Sequence, residues 1–330
     1  MKAVVCRRYG PPDVLKVEEV AKPVPGEDEV LVKVHATTVT SGDARVRGNV
    51  TPKGFKWMAR LAFGLTGPRQ PVLGVELAGV VEAVGRNVTQ VKPGERVFAI
   101  NGTRMGAYAE YAAVSATRAL AVMPPGMSFE EAAALPFGGT TALTFFRLAK
   151  LKPGEKALIV GASGGVGTAA VQLAKHFGAE VTGVCSSANA ELVKSLGADR
   201  VIDYTREDFR KSGETYDVIM DTVGEESFKS CGGLLKETGR LLLVVAGIPQ
   251  FVQMPWVSLT SGKKVIAGAS AERSEDLRFL AELAAAGAYK VVIDRRYPLE
   301  RIIEAHRYVD TGRKKGNVVI TVGQPPFPSE

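Results

Sequence analysis

One stretch limits the fold of this chain more than any other: Ala157-Leu158-Ile159-Val160-Gly161-Ala162-Ser163-Gly164-Gly165-Val166-Gly167. An apolar strand runs into a tight glycine turn. A helix then opens near Val166 and continues through Gln172 and Ala174. Glycines let a backbone approach a pyrophosphate closely, and a helix N-terminus offers free N–H groups and positive dipole density. Ala162 stands where the usual G-x-G-x-x-G has its first glycine, while Gly164 and Gly167 remain. Placed between a strand and a helix, the turn predicts a dinucleotide site.

The surroundings of the turn predict the rest of the domain. Apolar runs over 157–160, 181–184, 200–203, 217–220, 240–245 and 265–267 read as strands, with helical patterns between most of them. Runs that are apolar on both faces and spaced by helices indicate a parallel sheet covered on both sides, doubly wound. Ser128-Phe129-Glu130-Glu131 has the form of a capping box, and further helices are expected over 141–150 and 274–286. Residues 1–123 read differently. Val30, Val32 and Val34 share one face of a strand, and further strands over 76–84, 96–100 and 108–114 are separated by turns such as Pro93-Gly94. Strands over 291–293 and 317–322 are expected to return to this first, barrel-like part. The expected division is therefore 1–123 plus 288–330 for a strand-rich substrate domain and 124–287 for an inserted dinucleotide domain, with a cleft between them. The Pro-rich tail after Gly323 is expected to be disordered.

Composition narrows the function classes. At 330 residues, with 45% hydrophobic and 23% charged residues, the chain has the balance of a globular protein. The net charge of +7 is spread among acidic residues, as in Arg206-Glu207-Asp208, which argues against a nucleic-acid function. No apolar run approaches the roughly 20 residues of a membrane span, and the first residues read as a strand rather than a signal core. A cytoplasmic protein without membrane or nucleic-acid partners is expected. Cys6, Cys185 and Cys231 are too scattered for a zinc cluster or a disulfide framework. The strand over 181–184 ends in Cys185-Ser186-Ser187, with no acid at the tip to bond a ribose 2′-hydroxyl. Ser186 and Ser187 leave room for a 2′-phosphate and can donate to it, which favours NADPH over NADH.

Together these pieces resemble the medium-chain dehydrogenase/reductase superfamily, and within it the zinc-independent quinone oxidoreductase branch. The marks are Gly74-Val75-Glu76-Leu77-Ala78-Gly79, Pro93-Gly94-Glu95-Arg96-Val97, Gly106-Ala107-Tyr108-Ala109-Glu110-Tyr111, the glycine turn, Asp221-Thr222-Val223-Gly224 and Lys315-Gly316-Asn317-Val318-Val319. The resemblance implies a Rossmann domain inserted into a GroES-like antiparallel β-barrel. It also shows what is missing. Zinc-dependent relatives have a Gly-His-Glu motif where this chain has Val75, and their first cysteine ligand falls near Thr40. Without a Lewis acid, simple alcohol oxidation is disfavoured, and electrophiles that accept hydride readily, such as quinones and activated alkenes, are favoured.

The resemblance assigns candidate roles by position. Thr40 either donates to the substrate oxygen or fills space. Asp43 either orients the pocket or caps the helical turn after it. Thr141 either faces the nicotinamide or caps a helix. Ser163, Gly164, Gly165 and Val166 match the pyrophosphate turn, and Tyr204 matches a residue beside the adenosine 2′-phosphate. Asn189 stands where a basic cofactor contact is often found. Val223, Gly224, Val245, Ala246 and Gly247 match strand ends lining the nicotinamide. Lys315 and Asn317 lie on a returning segment that often reaches the cofactor, although a surface role for Lys315 stays equally open. Phe55, Trp57 and Phe63 either wall an apolar substrate pocket or belong to the core. A homodimer paired through the strand near 265–270 is implied. Two other readings stay open: a 2-enoyl thioester reductase, against which stands the lack of any Tyr between Tyr9 and Tyr108, and a non-catalytic NADPH-binding protein on the same fold.

Overall fold

The computed structural model describes residues 1–323, and the expectation for the tail after Gly323 lies outside them. The first part is built of β1 (Lys2–Cys6), β2 (Leu15–Glu19), β3 (Glu29–Thr38), β4 (Glu76–Val84), β5 (Arg96–Ile100), β6 (Tyr111–Ser115) and β7 (Ala119–Val122). Val30, Val32 and Val34 are buried on the inner face of β3, as their alternation requires. The strand expected over 108–114 begins later, at Tyr111. Tyr108 is instead drawn to β1, its carbonyl accepting from the Val4 amide at 2.8 Å.

The second part carries β8 (Lys156–Val160), β9 (Glu180–Cys185), β10 (Arg200–Asp203), β11 (Tyr216–Asp221), β12 (Leu235–Leu243) and β13 (Lys264–Ala267). These form a six-stranded parallel sheet in the order β10-β9-β8-β11-β12-β13. Apolar side chains fill both of its faces, with Ala157, Ile159 and Met220 in one core and Leu158, Ile219 and Leu241 in the other. The strand order reverses between β8 and β11, and a crevice opens at the carboxyl ends of strands at such a point. The strands β14 (Ile293–Pro298) and β15 (Asn317–Thr321) then rejoin the first part, in a sheet ordered β14-β15-β3-β4-β5-β7 with β6 also on β3.

Other boundaries also differ from the sequence reading. The helix expected from 141 starts at Pro136 and runs Pro136–Ala149, so Gly138 and Gly139 lie inside it. They are small because neighbours press close: a Cβ would sit 2.5 Å from the Gly165 carbonyl oxygen at Gly138 and 2.6 Å from Leu280 at Gly139. The fifth parallel strand begins at Leu235 rather than 240, and the strand expected at 291–293 instead spans Ile293–Pro298. No helix among the described residues is long and apolar enough to cross a membrane.

Candidate functional site

The glycine turn closes as the sequence predicts. Gly164 caps the helix Gly165–His176, and a Cβ on Gly167 would lie 2.1 Å from the Gly161 carbonyl oxygen. Ser163 accepts a hydrogen bond from Asn189 Nδ2 at 3.0 Å, so two expected cofactor residues meet here. The returning segment folds over the turn, with the Gly316 amide donating to the Ser163 carbonyl at 2.8 Å. The cation brought to the turn is Lys314 rather than Lys315. Lys314 Nζ donates to the Gly316 carbonyl at 2.6 Å and would stand 3.1 Å from a Cβ on Gly165. Burial pushes its ammonium down to about 8, against the pull of Glu76 and Asp294. The Lys315 side chain is exposed, and its amide is tied to Asp294 at 2.8 Å. Asn317 is buried beside the turn, 3.2 Å from a Cβ on Gly165.

At the adenosine end the structure corrects the sequence reading. No acid follows β9 in sequence, but parallel pairing sets Asp203 of β10 opposite Cys185. Its carboxylate accepts from the Ser187 hydroxyl, and from the Thr205 amide and hydroxyl at 2.9 and 2.7 Å. Those bonds, the one from Ser187 foremost, hold its pKa down to about 2. Arg206 stands 3.4 Å from Asp203, supplying the cation that the strand tip lacks. Ser186 is half-buried, and Tyr204 is exposed beside them.

At the other end of the crevice, buried Asp221 shapes the loop after β11. It accepts from the amides of Val223, Gly224 and Glu226 at 2.8, 3.0 and 2.8 Å. Val245 lies against this loop, 3.0 Å from a Cβ on Gly224. Ala246 and Gly247 follow, and the next amide, that of Ile248, bonds the Lys53 carbonyl at 3.0 Å. The two parts of the chain therefore touch at the rim of the crevice.

Thr40 and Asp43 form one unit on the barrel side. Thr40 is the N-cap of the helix Ser41–Gly48 and Asp43 its third residue, in a capping box. The Thr40 hydroxyl donates to Asp43 Oδ2 at 2.6 Å and accepts from the Asp43 amide at 3.0 Å. Burial pushes the Asp43 carboxyl up to about 6. Tyr108 and the Gly74 amide face this carboxyl, but Oδ1 and the Tyr108 hydroxyl lack a hydrogen bond of normal geometry. Phe137 links this unit to Thr141: its ring would touch a Cβ on Gly42 at 3.4 Å, and its carbonyl accepts from the Thr141 hydroxyl at 2.6 Å. That bond runs back one turn inside the helix, so Thr141 is not a cap.

Two residues that the sequence reading left without a role belong to the site. Glu76 is buried and accepts from the Phe137 amide at 2.6 Å and from the Thr38 hydroxyl. Burial pushes its carboxyl up to about 8. An acid inside the apolar run of β4 was the available signal. The unfolded chain releases this proton near 4.5, so between about 4.5 and about 8 the folded state holds more protons and stability falls as pH rises. Asp43 adds a slope of the same sign between 3.8 and about 6. Glu76→Gln is therefore expected to raise the melting temperature relative to the parent, by a margin that grows from about pH 5 to about pH 8. Thermal unfolding at both pH values checks this, and a margin that shrinks over the interval contradicts it.

The second is Arg45, one turn beyond Thr40. It is half-buried and lines an apolar cavity of about 400 Å³ with Tyr9, Val46, Val50, Phe55 and Phe63. Burial lowers its pKa, and Asp221, across the crevice, opposes that shift. Phe55 and Phe63 thus form part of an apolar wall, whereas Trp57 points to solvent and is 73% exposed.

The donor set does not suit zinc. Val75 and Thr40 hold the positions of a His and a Cys ligand, and the three cysteines are buried singly. His35 stacks on Phe129, His306 is buried against Tyr108, and His176 packs on Phe177. Among the described residues no three His, Cys, Asp or Glu side chains are grouped to hold a metal ion. The turn, by contrast, has a form that suits an anion: the helix N-terminus at Gly165 stands beside Lys314, and Gly167 packs on the Gly161 carbonyl where no side chain fits.

A parallel sheet with a glycine turn at a helix N-terminus, inserted into a largely antiparallel barrel, defines a two-part dinucleotide-dependent oxidoreductase. Residues 26–125 match the family model of the alcohol dehydrogenase GroES-like domain, and residues 196–320 that of the zinc-binding dehydrogenases. The chain is 35% identical to a 2-methylene-furan-3-one reductase of Solanum lycopersicum, over 97% of this chain and 79% of that one. The quinone oxidoreductase of Coxiella burnetii superposes with a TM-score of 0.87 at 30% identity, over 98% of this chain and 99% of that one. The Escherichia coli quinone oxidoreductase complexed with NADPH superposes with a TM-score of 0.81 at 26% identity, over 97% and 100%. The chain belongs to the medium-chain dehydrogenase/reductase superfamily, in its quinone and alkenal reductase branch.

Proposed function

We propose that this chain is an NADPH-dependent reductase of quinones and electron-poor alkenes that works without zinc. The carrying observation is the pairing of a glycine turn at a helix N-terminus with the Thr40–Asp43 unit and an apolar cavity lined by Arg45 on the other part of the chain. The solved E. coli relative in complex with NADPH and the tomato reductase of an enone support this reading. NADPH, when bound, supplies a hydride from its nicotinamide. Backbone N–H groups of Gly165 and Val166 hold the pyrophosphate, while Ser186, Tyr204 and Arg206 surround the 2′-phosphate, Arg206 offsetting the Asp203 carboxylate that takes the Ser187 hydroxyl. Val223, Gly224 and Val245–Gly247 wall the nicotinamide end, with Thr141 on the facing helix, and help exclude water.

The acceptor lies against Phe55 and Phe63, its oxygen toward Arg45 and Thr40. Arg45 stabilises negative charge developing on that oxygen, and it does so strongly because the cavity is apolar. The Thr40 hydroxyl donates a proton to the oxygen and regains one from Asp43, whose carboxyl holds a proton up to about pH 6. The reading includes a small-molecule electrophile as substrate, a cytoplasmic location and a homodimer paired through β13, which lies at a free edge of the parallel sheet.

Absorbance loss of NADPH with 9,10-phenanthrenequinone, a benzoquinone and a short 2-alkenal, with and without chelator, tests the reading. Chelator-resistant oxidation is expected with at least one of them. Binding of NADPH with no oxidation would instead support a non-catalytic binding protein. Arg206→Glu is expected to lower the NADPH/NADH ratio of kcat/KM by roughly tenfold to a hundredfold, because it adds a charge that repels the 2′-phosphate. Parallel kinetics with both nucleotides check this, and an unchanged ratio removes Arg206 from the site.

A further inference from the structure

No residue of the helix Lys56–Phe63 is buried, and of its side chains only Phe63 packs against a hydrophobic core. Trp57, Met58 and Leu61, with Leu65 just past its end, are 73, 58, 60 and 60% exposed. Trp57 and Leu61 are one turn apart and share a helix face. The charge along this segment has one sign. Between Asp43 and Glu76 the sequence holds no acid, but it carries Arg45, Arg47, Lys53, Lys56, Arg60 and Arg69. Among the described residues, only Arg47 of these six has a carboxylate within ion-pair distance, that of Asp310.

Large apolar side chains that include a Trp, set among uncompensated Lys and Arg, match an anionic lipid surface. The indole and the long basic chains suit the headgroup boundary, and the apolar tips suit the acyl region below it. The cavity lined by Arg45 lies directly behind, and Met58, Ala59 and Ala62 of this same helix form its outer wall. We propose that the Lys56–Phe63 face docks on anionic bilayers. Trp57, Met58, Leu61 and Leu65 enter the interface, and Lys53, Lys56 and Arg69 meet lipid phosphates. An acceptor dissolved in the bilayer then has a short apolar route into the cavity. That consequence, unlike the docking itself, rests on the reductase reading.

The chain's two tryptophans allow a clean test, because Trp256 lies on another helix, Ile248–Thr260. Trp256→Phe leaves Trp57 as the sole indole. Its emission is titrated with vesicles of phosphatidylcholine alone and of phosphatidylcholine mixed with phosphatidylglycerol. The expected result is a blue shift and co-sedimentation with the mixed vesicles, at least roughly tenfold tighter than with the neutral ones and weakened by salt. Lys56→Glu with Arg69→Glu is expected to weaken that binding by roughly tenfold or more while preserving turnover of a soluble acceptor. Three results would overturn the proposal. One is emission that neither vesicle moves. Another is a blue shift that follows protein concentration without lipid, which assigns the face to a second copy of the chain. The third is a blue shift caused by NADPH and acceptor without lipid, which assigns it to closure over the cleft.

Discussion

Gly167→Ala is expected to weaken NADPH binding by roughly a hundredfold or more, the loss of about 3 kcal/mol. The added Cβ would lie 2.1 Å from the Gly161 carbonyl oxygen and 2.8 Å from Ala162. No side-chain rotation relieves this, because the obstructing atoms are backbone. The strand end and the helix start must separate, and the N–H groups of Gly165 and Val166 then no longer converge on one anion. Titration of NADPH by calorimetry measures the loss. Thermal unfolding distinguishes a damaged cradle from a damaged fold: the variant should still melt cooperatively, and added NADPH should no longer raise its melting temperature. Parent-like affinity would mean that the pyrophosphate does not sit at this turn.

Arg45→Met should lower kcat/KM for quinone or enone by roughly a hundredfold to a thousandfold, with NADPH affinity unchanged. Methionine keeps much of the apolar stem that lines the cavity, so packing against Phe55 and Phe63 is largely conserved. What is lost is a positive charge in apolar surroundings, where a developing oxyanion gains most from it. Steady-state kinetics with saturating NADPH measure the change. An unaltered kcat/KM would show that the acceptor oxygen points elsewhere, and Thr40 alone would remain as its partner.

Which parts of this protein could be read from sequence follows from the kind of signal each leaves. The glycine turn is legible because its geometry depends on a few adjacent residues and on space that side chains would fill. The capping box at Ser128 is legible for the same reason, and so is β4, whose bounds at Glu76 and Val84 follow from its run and turns. Signals that depend on distant neighbours were missed. Asp203 reaches Ser187 because β9 and β10 end in register, which neither strand declares alone. Lys314 and Lys315 are adjacent cations, and the fold of the segment before β15 decides which of them meets Gly165. The helix start at Pro136 is not legible because glycine has low helix propensity, and only the fold sets Gly165 and Leu280 against Gly138 and Gly139. Arg45 carries no sequence signal of its own, because Tyr9, Phe55 and Phe63 enclose it only in the fold.

Hydride transfer itself is tested most directly with NADPH deuterated at both C4 positions of the nicotinamide. The chain is given an α,β-unsaturated ketone in ordinary water with chelator present, and the saturated product is weighed by mass spectrometry. The account predicts product carrying a single deuterium, formed at a rate matching loss of the nicotinamide absorbance. Product without deuterium, or no product despite bound NADPH, would contradict it.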